Sequence, residues 1–287
     1  MKILHEVSLR LKREGLSADL MRVNLEAMGI SPEDIVEEEG KDYRKISVFY
    51  PLAAAARRFV RGVRGMKLKG VGISVRCHRK TDWESQWKKG WKPFALTRRL
   101  YVIPLFLTGV TCPRGKMPLY LDTTSAFGTG LHETTRFSAG LIEGLKDSFE
   151  SFLDVGTGTG ILSVVALRSG ARYTEAFDID TGAVTAARRN LKANGLRCDV
   201  LRVCDMGHYV AQRAFRLVAA NLITHDLVAF RRKIVACVAP GGHLIISGIS
   251  LKNMPLVKKE YNMSAGLKCL KIVKGKEWAA FLFARQV

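Results

Sequence analysis

The chain has 287 residues, with 46 Lys or Arg against 26 Asp or Glu and a formal net charge of +20. Its length and its 47% hydrophobic content suit a globular protein of two domains with a sizeable core. They leave out a membrane-spanning chain, because no apolar run approaches the about 20 residues a bilayer requires. The start, Met1 to Glu6, is charged too early for a secretory signal. The six cysteines, at 77, 112, 198, 204, 237 and 269, form no metal-like cluster and no Cys-x-x-Cys pair, so a reducing, cytoplasmic setting is expected, with most thiols in the core.

In chain order, Val7, Leu9 and Leu11 alternate with polar neighbours, the pattern of a half-buried strand. Ser17 can cap a helix running through Leu20, Val23, Leu25, Ala27 and Met28 and stopped by Gly29. Residues 34–38 and 43–50 read as two strands around a Gly40 turn. Pro51 suits a first helical turn, and Leu52, Ala56, Phe59 and Val63 then line one helix face, with Arg57, Arg61 and Arg64 on another. Residues 71–77 read as a fourth strand. The order β-α-β-β-α-β is that of a ferredoxin-like α+β sandwich, assigned to residues 1–80, and its arginine-bearing helix is a candidate docking face.

The positive charge is concentrated. Residues 57–99 hold fourteen Lys or Arg against Asp82 and Glu84, a net of +12. Either this is a solvated basic surface, or it contacts a polyanion such as RNA or a ribonucleoprotein. Residues 81–110 form an aromatic and basic linker. Trp83, Trp87 and Trp91 within it either stack on nucleic acid or pack as a bridge between domains. Residues 98–104 enter the second half of the chain, 111–287, as a strand.

The stretch Leu121-Asp-Thr-Thr-Ser-Ala-Phe-Gly-Thr-Gly-Leu-His-Glu-Thr-Thr135 is glycine-containing and flexible, and Phe127 and Thr135 are placed to close over a ligand. His132 reads either as a base or as the cap of the helix at 136–145. An apolar strand then ends in Asp154 and runs into Gly156-Thr-Gly-Thr-Gly160 and a helix at 161–167. Such a turn presents bare backbone N–H groups to a ligand. A carboxylate at the strand tip repels a pyrophosphate and attracts a cationic sulfonium, and the glycine spacing differs from the Gly-x-Gly-x-x-Gly of dinucleotide folds. The site is therefore read as one for S-adenosylmethionine (SAM), with Gly156 and Gly158 as cofactor-binding positions.

A second strand ends at Asp178, one strand–helix–strand unit beyond Gly156, where a carboxylate can accept ribose hydroxyls; Asp180 or Thr181 then caps the next helix. A third strand at 199–203 ends at Asp205, which reads either as an adenine contact or as an exposed loop acid. A fourth, at 217–220, ends at Asn221, whose carbonyl can accept from an amine nucleophile or cap the following helix through an Asx turn. Pro240-Gly-Gly242 is expected to turn the chain into a fifth strand at 243–247. Alternating strands and helices predict a doubly wound, mostly parallel α/β sheet of Rossmann-like type, with ligands at the carboxyl ends of the strands.

These motifs together resemble the ribosomal protein L11 methyltransferase family. The resemblance lies in Ala126-Phe-Gly-Thr-Gly-Leu-His-Glu-Thr-Thr135, Asp82-Trp83, Trp91-Lys-Pro-Phe94, Asp154-Val-Gly-Thr-Gly-Thr-Gly160, Phe177-Asp-Ile-Asp180, Ala220-Asn-Leu222, Ser247-Gly-Ile249 and Glu277-Trp278. It implies a ferredoxin-like recognition domain, a linker and a SAM-dependent methyltransferase domain. It further implies SAM-binding roles for Thr135, Gly156, Asp178 and Asn221, and N-methylation of lysine amines, with an N-terminal amine as a further acceptor, on the large-subunit ribosomal protein; a monomer is expected. Asn221 is the expected catalytic position. Two departures stand out: Thr123-Thr124 where many members have Pro-Gly, and Ile223-Thr-His-Asp-Leu227 where many have small residues and Pro-Leu. Two rival readings are a lysine methyltransferase of another protein, such as an electron-transfer flavoprotein subunit, and a non-catalytic RNA-binding ribosome-assembly factor.

Overall fold

In the computed structural model the described residues are 3–12, 21, 25, 30, 35–39, 43–50, 52–66, 68, 70–79, 91–122, 128–262 and 266–287. The chain divides into two compact units, Met1–Trp91 and Lys92–Val287.

In the first unit, strands β1 (Ile3–Lys12), β2 (Ile35–Glu39), β3 (Tyr43–Tyr50) and β4 (Val71–Arg79) form one antiparallel sheet in the order β2-β3-β1-β4. Successive strand side chains point to opposite faces, so Val7, Leu9 and Leu11 share one face, where they are buried against Ile46 and Val48. Helix α1 (Ala53–Gly65) covers that face with Ala56, Phe59, Val60 and Val63. Met21 and Leu25 are helical and join the same core; the rest of the helix expected before Gly29 lies outside the described residues. Order and pairing are those of a ferredoxin-like sandwich. The tryptophans at 83 and 87 are also outside the described residues.

The second unit opens with a small sheet, β5 (Phe94–Ala95), β6 (Leu100–Pro104) and β7 (Met117–Leu121), in which β6 and β7 run parallel. Helix α2 (Glu133–Gly144) follows. Then come β8 (Ser151–Val155), α3 (Ile161–Arg168), β9 (Tyr173–Asp178), α4 (Thr181–Ala193), β10 (Val200–Val203) and β11 (Phe215–Asn221). The chain closes with α5 (Thr224–Ala229), α6 (Arg231–Ala236), β12 (Val238–Ser250), α7 (Met254–Asn262), β13 (Leu267–Lys274) and β14 (Trp278–Arg285). The main sheet has the order β10-β9-β8-β11-β12-β14-β13, parallel from β10 to β12, with β14 antiparallel to both its neighbours. β8 is buried along its whole length, as a strand covered on both faces requires. Strand order reverses between β8 and β11, which opens a crevice at their carboxyl ends.

Three local expectations are corrected. Pro240-Gly-Gly242 does not separate two elements: it lies within β12, where the pairing with β11 jumps from Phe215↔Val238 to Leu217↔His243. The extra residues are accommodated as an irregularity in the strand, not as a turn. The terminal hairpin β13–β14 adds two strands beyond the five that the sequence predicts for this sheet. Of the cysteines only Cys237 is buried, while Cys77 is exposed and the others are half-buried.

Candidate active site

The turn between β8 and α3 is built by its glycines. Gly160 has φ +77°, and a Cβ there would lie 2.9 Å from the Cβ and 3.0 Å from the Cα of Ala187 on α4; only a residue without a side chain lets α3 start this close to α4. The N–H groups of Gly156 and Thr157 both donate to the Phe177 carbonyl at 3.0 Å, which locks the turn onto β9.

Asp154 does not face the ligand crevice, contrary to the sequence reading. It is 1% exposed, and its Oδ2 accepts from Thr157 Oγ1 (2.8 Å), Ser163 Oγ (2.6 Å) and the Ser163 N–H (3.1 Å). Burial pushes its pKa up to about 6, against the opposing pull of the Ser163 and Thr157 hydrogen bonds. The residue is thus a clamp between the glycine turn and the first turn of α3. Any electrostatic preference it imposes on a ligand acts through the protein and not by contact.

Asp178, at the tip of β9, does face the crevice. Its Oδ2 accepts the Gly158 N–H at 2.8 Å and its Oδ1 accepts the Asp180 N–H at 3.0 Å. Each carboxylate oxygen has a second lone-pair direction, so ligand hydroxyls can be accepted as well. Asp180 takes the capping role, accepting from the Gly182 N–H at 2.7 Å. Beside Asp178 lies a cavity of about 530 Å³ whose walls include Gly156, Gly158, Asp178, Asn221, Asp226 and Trp278, within the range of small-molecule sites. Its walls are mainly apolar, with Val155, Phe177, Leu222 and Phe230 among them. Phe177 is stacked on Tyr209 at a centroid distance of 4.3 Å, which stiffens that wall.

Asn221 ends β11 at the cavity, and its Oδ1 is buried with no hydrogen-bond partner among the described residues. A buried acceptor left unpaired costs about 1–3 kcal/mol, so the site is arranged for a donor that a bound molecule brings. Asp205 also lines the cavity, and its Oδ2 pairs with His208 Nδ1 at 2.5 Å, which holds its pKa below the usual carboxylate range. Asp205 is half-buried and not the exposed loop acid of the second reading.

The glycine-rich loop is tied to the same turn at its described flanks. The Asp122 N–H donates to Asn190 Oδ1 (2.7 Å), Asn190 Nδ2 donates to the Thr159 carbonyl (2.8 Å), and Thr159 Oγ1 donates to the Gly128 carbonyl (2.6 Å). Phe127 lies outside the described residues. Thr135 is 0% exposed and its Oγ1 has no hydrogen-bond partner among the described residues; it is Thr134, not Thr135, that lines the cavity. His132 is the N-cap of α2, its Nδ1 accepting from the Thr134 N–H at 3.4 Å, and its ring packs edge-on to Trp278 at 5.0 Å. The capping reading of His132 holds, and the residue also lines the cavity.

Asp226 and Ile223, in the segment 223–227 that departs from the family pattern, line the cavity as its expected place near the acceptor implies, whereas Trp278 and Phe230 were not expected there. Trp278 arrives from the far end of the chain, where Glu133 accepts from the N–H groups of Lys276 (3.1 Å) and Glu277 (3.4 Å). For Trp278 the one available signal was the Glu277-Trp278 match in the family resemblance.

A glycine turn after β8, an acid at the tip of β9 and an amide at the tip of β11, all on one crevice of a seven-stranded sheet with an antiparallel β14, define a SAM-dependent methyltransferase. The model of the family described as "Ribosomal protein L11 methyltransferase (PrmA)" matches residues 6–286. The chain belongs to the ribosomal protein L11 methyltransferase family. It is 35% identical over 215 residues to such an enzyme of Pelobacter propionicus, covering 71% of this chain and 67% of that one. With the protein of the same name from Geobacter metallireducens it shares 35% over 210 residues, 73% of this chain and 68% of that one. Among solved structures it resembles the ribosomal protein L11 methylase of Lactobacillus delbrueckii subsp. bulgaricus, with a TM-score of 0.62 and 25% identity, covering 69% of this chain and 100% of that one.

Proposed function

We propose that this protein methylates lysine ε-amines, and an N-terminal amine where one is presented, of the large-subunit ribosomal protein L11. The observation that carries the reading is the unpaired Asn221 Oδ1 in the cavity beside the Asp178–Gly158 pair. SAM supplies an electrophilic methyl group on a sulfonium. Asp178 accepts its ribose hydroxyls, Gly156 and Gly158 give it an unobstructed backbone to lie against, and Phe127 of the glycine-rich loop covers it, with Thr135 buried behind the cavity wall at the start of α2. Asn221 Oδ1 accepts an N–H of the acceptor amine and so orients its lone pair. The amine must arrive neutral although a free lysine has a pKa of about 10.4; desolvation against Phe177, Leu222, Phe230 and Trp278 favours that form. The rate enhancement then comes chiefly from positioning.

The first unit is assigned the recognition of the protein substrate, with a further contact to RNA or the ribosome through the basic segment 57–99, and the protein acts as a monomer in the cytoplasm. Among the described residues no helix is long and apolar enough to cross a membrane. Incubating the purified protein with radiolabelled SAM and free L11 tests the proposal: label on lysine is expected, and a protein that binds SAM yet transfers none to L11 removes it. A different protein acceptor is the second reading, because Ile223 and Asp226, which belong to the segment that departs from the family pattern, line the cavity itself. Intact-mass comparison of candidate acceptors separates the two.

A further inference from the structure

Helix α1 carries no acidic residue. With Ala56, Phe59, Val60 and Val63 buried, it turns Arg57, Arg58, Arg61 and Arg64 to the exposed side. None of the four guanidinium groups has an ion-pair or hydrogen-bond partner among the described residues, whereas Lys45 in the same unit is paired with Glu6 at 3.0 Å. Arg57, Arg61 and Arg64 stand at i, i+4 and i+7, so they share one face and are spaced at roughly 6 and 10 Å along the helix axis. These three line a groove of about 450 Å³ that continues over His5, Val75 and Cys77. β4, which supplies Val75 and Cys77, is an edge strand of its sheet, and Val75 is 50% exposed there.

We propose that this groove is an RNA-backbone site: three guanidinium forks in a row on phosphates, above a floor that makes no base-specific demand. The inference deepens the proposed function, because it rests on the acceptor being a ribosomal protein. Proteins that bind nucleic acid are themselves cationic, so a row of unpaired arginines on a chain of net charge +20 repels such a substrate. Attraction requires a polyanion, and the one that accompanies a ribosomal protein is its RNA. Arginine in place of lysine at all three positions fits phosphate, which takes the planar fork bidentately. An extended acidic peptide added along β4 is the rival occupant. The groove is lined by charge along a helix and offers no described side-chain pocket at strand spacing, so the observations favour RNA.

The test is fluorescence anisotropy of the full-length protein with a short labelled RNA hairpin, between about 50 and about 200 mM salt. The triple variant Arg57→Gln, Arg61→Gln, Arg64→Gln is expected to bind RNA at least tenfold more weakly. It should also lower the slope of log K against log salt by about 2, at roughly 0.7–0.9 for each phosphate no longer neutralised. The triple Arg→Lys variant keeps the charge and so most of the slope, which separates a weakened electrostatic grip from a damaged helix. Absence of RNA binding by the wild type, or an unchanged slope in the Gln variant, overturns the inference. So does polyglutamate binding as tightly as RNA with the same sensitivity. Methyl transfer from SAM to free L11 by the wild type is measured alongside: its absence sinks the proposed function, whereas loss of RNA binding with transfer intact in the wild type overturns only this inference.

Discussion

The Asp178 carboxylate accepts the Gly158 N–H at 2.8 Å, so the tip of β9 and the glycine turn after β8 are held as one unit. Replacing Asp178 with Ala removes a charged acceptor facing the ligand and frees the turn at the same time. Hydrogen bonds to a charged group are worth about 1.5–3 kcal/mol, so SAM affinity is expected to fall about 10- to 100-fold. Calorimetric titration measures it, and an affinity within a factor of two of the wild type would remove Asp178 from the cofactor site.

Asn221 acts on the acceptor side. Asn221→Ala is expected to lower kcat about 100-fold, because its amide orients the amine, with the Kd for SAM little changed. The unpaired Oδ1 makes a second outcome readable: with no buried acceptor left unsatisfied, the alanine variant should be as stable as the wild type or more so in thermal melts. Equal loss of SAM binding and turnover would reassign the residue to the cofactor.

Gly160→Ala combines a φ of +77° with a Cβ only 2.9 Å from that of Ala187. The left-handed conformation costs about 1–2 kcal/mol for a residue with a side chain, and forcing α3 off α4 adds about 1–3 kcal/mol. Chemical denaturation should show a loss of about 3 kcal/mol, and a loss below about 1 kcal/mol would mean that the two helices separate freely.

The Asp154 carboxyl sets a pH dependence of stability. Its pKa is 3.8 in the ordinary case and about 6 in the folded protein, chiefly through burial. Between these values the unfolded chain has released the proton and the folded one still holds it. Unfolding therefore becomes easier as pH rises through that window, by about 3 kcal/mol in all, and no further above it. In urea titrations from about pH 4 to about pH 7, the stability of the wild type relative to Asp154→Asn should fall with rising pH; a constant difference would show that the group ionises normally.

Much of the site is legible in the residues. Gly156, Gly158 and Asp178 sit where spacing places them, because a strand ending in a tight glycine turn leaves the backbone few conformations, and an acid at the next parallel strand's tip falls beside it. Asp180 as a cap and Asn221 as a strand-end amide follow from the same local logic. Asp154 breaks the pattern because its position at a strand tip does not reveal which way the carboxylate turns. That depends on Thr157 and Ser163 reaching it first.

What the chain's order alone determined was the alternation of strands and helices, the glycine turn and the amphipathic arginine helix. All are set by periodicity and by backbone freedom within a few residues. Tertiary structure alone decided that Trp278 meets His132, that Asp226 and Phe230 wall the cavity, and that Glu133 pins the turn before β14. These partners are far apart along the chain, apart from Asp226 and Phe230, which lie in the first turn and at the C-cap of α5. They meet because β14 inserts antiparallel beside β12, a pairing chosen by the burial of Phe281 and Phe283 in the common core and not by any local signal.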